Sequence, residues 1–233
     1  MFNKIGIIGA MQEEVEVLIN SVKVDSIKEK AGMKYYQGTL NEKEVVIVKC
    51  GIGKVNAAVC AQGLIDEFDV DALINTGVAG SLNNDINIGD IVISKDTVNH
   101  DFDTTAFGDE YGVISYMDTS FFEADERLIE KAKESCIKVN KELGVFVGRV
   151  LSGDQFIASE EKKQWLIKQF SGFCVEMEGA AIGQTAHLNK VPFVILRAIS
   201  DKGDNSAEMN YEEFKIMAID NLSKVVMELV KNI

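Results

Sequence analysis

Seven short runs of apolar, mostly β-branched residues recur along the chain, and their near-continuous hydrophobicity constrains the fold more than any other feature. They are Ile5–Ile8, Val45–Cys50, Ala72–Asn75, Ile88–Ile93, Val147–Leu151, Phe173–Val175 and Phe193–Ile199. A strand wetted on one face alternates apolar and polar residues; a strand covered on both faces reads as an unbroken apolar run. Helical patterns separate several of these runs, at about 12–22, 54–67, 125–141, 160–169, 179–189 and 211–231. In the last, Phe214, Met217, Ala218, Leu222, Val225, Val226 and Leu229 fall on one stripe. The alternation predicts a three-layer α/β/α sandwich around a mainly parallel sheet. No linker, repeat or low-complexity tract interrupts it, so residues 1–233 read as a single domain. The one proline, Pro192, precedes a strand, where a missing N–H is tolerated.

Composition narrows the function. The formal net charge is −13, which argues against nucleic acid or an anionic membrane as partner, because phosphate binding needs clustered Lys and Arg. No apolar run reaches the ~18–20 residues of a membrane span, and the N-terminal apolar stretch is too short for a signal-peptide core. Cys50, Cys60, Cys136 and Cys174 form no C-x-x-C pair, so neither a zinc knuckle nor a redox motif is expected, and reduced buried thiols in a cytoplasmic protein are. His100 and His187 are the only histidines. No metal and no cofactor are expected, and acid–base chemistry falls to carboxylates.

Two glycine-rich turns follow strands, where open α/β sheets bind ligands. Gly51-Ile52-Gly53 begins like a dinucleotide fingerprint, but Asn56 occupies the third glycine position. Asn75-Thr76-Gly77-Val78-Ala79-Gly80-Ser81 allows close backbone approach to a ligand, or serves tight strand-to-helix packing. Three acidic residues stand at strand ends. Glu14 lies in the first turn of the first helix, where complementing the helix dipole is the plainer role. Glu178 follows a strand in which alternation turns Glu176 and Glu178 away from Val175 and Met177. Asp201 ends the last apolar run, where a turn or capping role is the alternative.

The residues of these segments form a larger pattern. Ile-Gly-Ile-Ile-Gly-Ala-Met-Gln-Glu-Glu (5–14), Gly-Ile-Gly-Lys-Val-Asn-Ala-Ala (51–58), Asn-Thr-Gly-Val-Ala-Gly (75–80), His-Asp-Phe-Asp-Thr-Thr-Ala-Phe-Gly (100–108), Ser-Gly-Asp-Gln-Phe-Ile (152–157), Val-Glu-Met-Glu-Gly-Ala-Ala (175–181) and Arg-Ala-Ile-Ser-Asp (197–201) stand in one register. Together they resemble the purine nucleoside phosphorylase/hydrolase family, in its branch of thioadenosine nucleosidases, over about residues 3–230. The resemblance implies a central mixed sheet wrapped by helices, a homodimer, and hydrolysis of the N-glycosidic bond of 5′-methylthioadenosine and S-adenosylhomocysteine, with 5′-deoxyadenosine as a further substrate. It matches Glu14 to the water-activating base, Asp201 to the acid that protonates adenine N7, and Glu178 to the carboxylate on the ribose hydroxyls. Phe156 would stack on adenine, Ile157 would bond it through its backbone, and Met177 would lie beneath the ribose. Met11, Ile52 and Tyr211 fall near the alkylthio end, with Phe107 expected from the partner subunit. Val78, Ala79, Gly80 and Ser200 complete the expected substrate-binding set.

The chain departs from that pattern at Val78, where many relatives carry serine, at Tyr211 in place of a common phenylalanine, and at Ser115, where some relatives place proline. The remaining features read as structural. His100-Asp101-Phe102-Asp103 is a hydrogen-bonded turn more readily than a metal cluster, Arg197 pairs with a carboxylate, Trp165 anchors packing, and Glu160–Lys163 is a solvated helix face. A phosphate nucleophile would need guanidinium clamps near the glycine-rich turns, and the three arginines, Arg127, Arg149 and Arg197, all lie beyond residue 126. Hydrolysis is therefore favoured over phosphorolysis.

Overall fold

The computed structural model describes residues 2–205 and 207–233. Its centre is β5 (Ala72–Ser81), buried at every position, as an uninterrupted apolar and small-residue run requires. β1 (Lys4–Gly9) runs parallel to it on one side and β10 (Phe193–Asp201) on the other. β9 (Cys174–Glu176) pairs antiparallel with its far end, Gly80 opposite Val175. From β10 the pairing continues through β6 (Ile91–Asn99) and β8 (Val145–Ser152) back to β9, so these five strands close a ring. On the open side, β1 is followed by β4 (Lys43–Lys49), β3 (Met33–Leu40) and the edge strand β2 (Lys23–Lys30). The two-residue β7 (Phe122–Glu123) adds to β6.

Six helices cover this sheet among the described residues: α1 (Gln12–Ser21), α2 (Lys54–Phe68), α3 (Glu126–Val139), α4 (Glu160–Phe170), α5 (Gly179–Asn189) and α6 (Ala207–Asn232). Each predicted helix is present. The predicted stripe of α6 is buried at Ala218, Leu222, Val225, Val226 and Leu229, but Met217 is exposed and Phe214 only half-buried. A smaller apolar cluster joins Leu151, Ile157, Leu166 and Phe170, and Trp165 packs edge-on between Tyr111 and Phe170. All four cysteines are buried and free. No helix of the described residues is long and apolar enough to cross a membrane.

The sheet is mixed rather than mainly parallel: among the described residues five strand pairings are parallel and five antiparallel. The hairpin of β2 and β3 accounts for part of the difference. β2 is exposed throughout and β3 is only partly buried, so neither shows the continuous apolar run that marks a covered strand. Their turn, Ala31-Gly32, has positive φ at both positions, the geometry that suits a two-residue hairpin loop. β6 begins three residues later than predicted and extends to Asn99, because its polar residues find partners inside: Arg149 forks onto Asp96 at 2.7 and 3.0 Å. A further correction concerns α4, where Lys163 is 3% exposed and not part of a solvated face.

Truncating Ile74 on β5, which is fully buried, to alanine should cost about 2–5 kcal/mol in urea unfolding. The same change at Ile27 on the exposed β2 should stay within about 0.5 kcal/mol.

Candidate active site

The ends of β1, β5, β9 and β10 meet at one edge of the ring, and the carboxylates singled out in the sequence converge there. Glu14 sits one turn into α1, 3% exposed. Its Oε2 accepts the N–H of Ala10 at 2.7 Å and of Met11 at 2.9 Å, and its Oε1 accepts the N–H of Val78 at 3.1 Å. One carboxylate thus closes the start of α1 and reaches across to β5. The bond to Val78 crosses to β5 over Gly77. A Cβ at Gly77 would overlap the Arg197 guanidinium and lie 2.5 Å from Glu14 Oε1. Glycine is required there by close approach.

Glu178 caps α5 beyond β9 and is 4% exposed. Its Oε1 accepts the Gly53 N–H at 2.9 Å, which ties the first glycine-rich turn to the site. Asp201, the last residue of β10, is also 3% exposed. Its Oδ1 accepts the Gly203 N–H at 2.8 Å and its Oδ2 the Ser200 hydroxyl at 2.9 Å. Behind these groups Arg197 bonds Glu176 and stands 3.7 Å from Glu178. Glu176 also accepts from the Ser152 hydroxyl and from the N–H groups of Glu178 and Gly179.

Burial raises the proton affinity of all three site carboxylates, each by a different balance. For Glu14 desolvation is opposed by the Arg197 charge and the three N–H bonds. For Asp201 desolvation is opposed by the Gly203 and Ser200 bonds. Glu178 is pushed up to about 7, first by desolvation and then by Glu176 beside it. Burial disfavours the ionised form, and a neighbouring like charge adds to the effect.

These side chains border a cavity of about 310 Å³ whose remaining wall is mainly apolar. Of the residues singled out in the sequence, Met11, Ile52, Val78, Ala79, Gly80, Phe156, Met177, Ser200 and Tyr211 line it. Phe156 and Tyr211 meet edge to face at 5.9 Å, and the Tyr211 hydroxyl points to Met11 Sδ at 3.2 Å. Ile157 borders a side recess with Gln155, Phe156 and Asp201 instead of the main cavity. Phe107 lies on a short 3₁₀ turn, 88% exposed and outside the cavity of its own chain. The wall also includes Ala10, Val175 and Glu176; for Glu176 the available signal was its alternation beside Glu178.

The arginines are all committed elsewhere. Arg127 pairs with Asp125, Arg149 with Asp96, and Arg197 with Glu176 behind the cavity wall. Asp101 of the His100–Asp103 segment pairs with Lys54 and accepts the Asp154 N–H at 2.9 Å.

The sequence pattern of the phosphorylase superfamily matches residues 4–231. The chain belongs to the phosphorylase superfamily. Within it, the chain is 45% identical over 230 residues to a 5′-methylthioadenosine/S-adenosylhomocysteine nucleosidase of Staphylococcus aureus strain JH9, covering 98% of this chain and all of the relative. Among solved structures, the nucleosidase of the same name from Neisseria meningitidis, in complex with methylthio-immucillin-A, superposes with a TM-score of 0.95 at 39% identity, over 99% of this chain and 100% of that one. The futalosine hydrolase of Helicobacter pylori superposes with a TM-score of 0.94 at 33% identity, over 99% and 98% of the two chains. Superfamily membership alone leaves open whether phosphate or water is the nucleophile. The lining residues of the cavity include Glu14, Glu176, Glu178 and Asp201 and no lysine or arginine.

The raised proton affinity of Glu178 predicts a pH dependence of stability. Between its ordinary value of 4.5 and about 7, the folded chain holds a proton that the unfolded chain releases. The stability contributed by the neutral group is fully present below about 4.5 and is lost as pH rises through about 7. Urea unfolding across this window should show the decline in the native protein and a flatter profile in Glu178→Gln.

Proposed function

We propose that this chain hydrolyses the N-glycosidic bond of 5′-methylthioadenosine and S-adenosylhomocysteine, releasing adenine and the corresponding 5-thioribose, and that it also accepts 5′-deoxyadenosine. The observation that carries the reading is the set of buried carboxylates around an otherwise apolar cavity without a cationic side chain in its wall. A phosphate dianion would meet Glu14 and Glu178 with no guanidinium to neutralise it, whereas water is compatible with a carboxylate base. The close similarity to nucleosidases acting on these thioadenosines supports the same substrates.

In this reading Asp201 enters protonated and delivers its proton to adenine N7 as the C1′–N9 bond breaks, so that the purine leaves neutral. Its desolvated position favours the proton-bearing form. Glu178 accepts hydrogen bonds from the ribose hydroxyls and stabilises positive charge developing on the ring. Glu14, oriented by three backbone N–H groups, draws a proton from the water that attacks C1′. Phe156 stacks on adenine, with Ile157 behind it in the side recess, and Met177 lies beneath the ribose. Met11, Ile52 and Tyr211 enclose the 5′ substituent. Its thioether suits a polarisable wall such as Met11 supplies.

A second subunit completes the pocket in this proposal. Phe107, Val55 and Leu188 are 88%, 74% and 65% exposed, and an apolar groove runs between Val55, Ala58, Phe102, Ile114, Ala181 and Leu188. A homodimer would cover these surfaces and carry Phe107 to the partner's alkylthio pocket. Four free buried thiols suit the reducing cytoplasm.

Adenine release from methylthioadenosine should proceed without phosphate and give free thioribose; formation of a ribose 1-phosphate when phosphate is added would overturn hydrolysis. Parallel assays with S-adenosylhomocysteine, 5′-deoxyadenosine and futalosine would define the substrate range. Asp201→Asn and Glu14→Gln should each lower kcat by about 10²–10⁴-fold with a smaller change in KM. Phe107→Ala should raise KM for thioether substrates while leaving the melting temperature nearly unchanged. A fully active monomer by light scattering would remove the shared pocket.

A further inference from the structure

Lys163 stands out among the lysines because its side chain is turned inward. It lies in the first turns of α4, beside the exposed Glu160 and Glu161, yet it is 3% exposed. Burying an ammonium is costly unless a fixed polar partner compensates it. The partner is the carbonyl of Lys202, which accepts from Lys163 Nζ at 2.7 Å. That carbonyl belongs to the residue directly after Asp201.

The turn that carries Asp201 is held from several directions. Lys202 Nζ donates to the Ile86 carbonyl at 2.6 Å. The Gly203 N–H and the Ser200 hydroxyl both bond the Asp201 carboxylate. A weaker second link to α4 runs from the Glu160 N–H to Asn205 Oδ1 at 3.4 Å. On the other side, α4 begins three residues after Ile157, so the helix follows directly on the segment that supplies Phe156 to the cavity. Lys163 thus connects the aromatic wall of the cavity to the turn bearing the carboxylate.

We propose that Lys163 is a positioning residue, bracing the Asp201 turn against α4 so that the carboxyl keeps a fixed place relative to the Phe156 wall. The proposal rests on the reading of Asp201 as the proton donor. A residue that served packing alone would have no need of an ammonium, since an apolar side chain of similar length fills such a space without the desolvation cost. The charge also acts on Asp201 directly. The groups that face that carboxyl are Lys163 from α4, Asp204 from its own turn, Cys174 from β9 and Tyr211 from α6. Of these Lys163 favours the ionised form and Asp204 opposes it, while burial dominates both and keeps the proton affinity raised. Removing the lysine charge therefore raises the proton affinity of Asp201 further. Because the donor must be protonated to act, the alkaline limb of kcat should then move to higher pH.

The test uses this chain with methylthioadenosine varied up to saturation, measuring kcat, KM, the pH profile of kcat and thermal melting for Lys163→Met, Lys163→Gln and Lys163→Arg. Lys163→Met should lose about 10–10²-fold in kcat, the scale of a small misplacement of a reacting group, with a smaller change in KM and an alkaline limb displaced upward. Lys163→Arg should restore both properties. Lys163→Gln, which keeps a donor without the charge, should recover part of kcat but keep the displaced limb. If Lys163→Met does not fold, the glutamine and arginine variants carry the comparison. A folded Lys163→Met or Lys163→Gln enzyme with native kcat and an unmoved limb overturns the brace. Asp201→Asn in the same assay separates the two ideas. If it is impaired while the lysine variants are native, only the brace fails; if it keeps native kcat and limb, the proton-donor reading falls and the brace falls with it.

Discussion

The buried guanidinium of Arg197 is the charge on which the geometry of the site depends. It is 1% exposed, bonded to Glu176 and Asn75, and 3.7 Å from Glu178. Its charge also reaches Glu14. Several carboxylates at one sheet edge would repel one another and resist burial, and one fixed cation makes the convergence of Glu14, Glu176 and Glu178 tolerable. Removing one partner of such a buried arrangement typically costs about 3–5 kcal/mol, because the remaining charge is left uncompensated. The arginine thus permits an acidic site while staying behind the wall of the cavity.

The local bonding differs at each carboxylate. Glu14 is pinned through both oxygens by N–H groups from two elements, which orients it without supplying a countercharge. Asp201 shares its oxygens with one N–H and one hydroxyl. Glu178 has the Gly53 N–H and a like-charged neighbour. Burial raises the proton affinity of all three, against a different set of opposing bonds at each. The apolar remainder of the wall strengthens each of these effects by keeping water away. Tyr211 adds one hydroxyl to this wall, and its contact is the Met11 sulfur.

Much of the fold was legible because most strands are covered on both faces. Seven apolar runs marked the interior strands, and the helical patterns between them located all six helices. The edge hairpin of β2 and β3 escaped because exposure removes the hydrophobic signal, and because Ala31-Gly32 is a weak turn signature compared with Asn-Gly. The ring closure escaped for another reason. Pairing of β10 with both β5 and β6 is a choice of neighbours, and the composition of a buried strand is nearly the same whichever neighbour it takes.

The sequence by itself determined the alternation of elements, the acidic character of the chain, and the motifs whose register identifies the family and marks Glu14, Glu178 and Asp201. Spacing along the chain cannot show convergence. Glu14 and Val78 are 64 residues apart and Gly53 and Glu178 are 125 apart; the first pair meets because β1 lies parallel beside β5, and the second because β9 runs antiparallel to the far end of β5 and leads Glu178 back to the Gly53 turn that follows β4. Tertiary structure also raised the proton affinities, by burial at all three carboxylates, with Arg197 opposing the rise at Glu14 and Glu178 and Glu176 adding to it at Glu178. It decided the fate of Lys163 as well. In a run of four charged residues only the helical spacing to Leu166 and Phe170 places Lys163 on the inward face, and the carbonyl that receives its ammonium is 39 residues away.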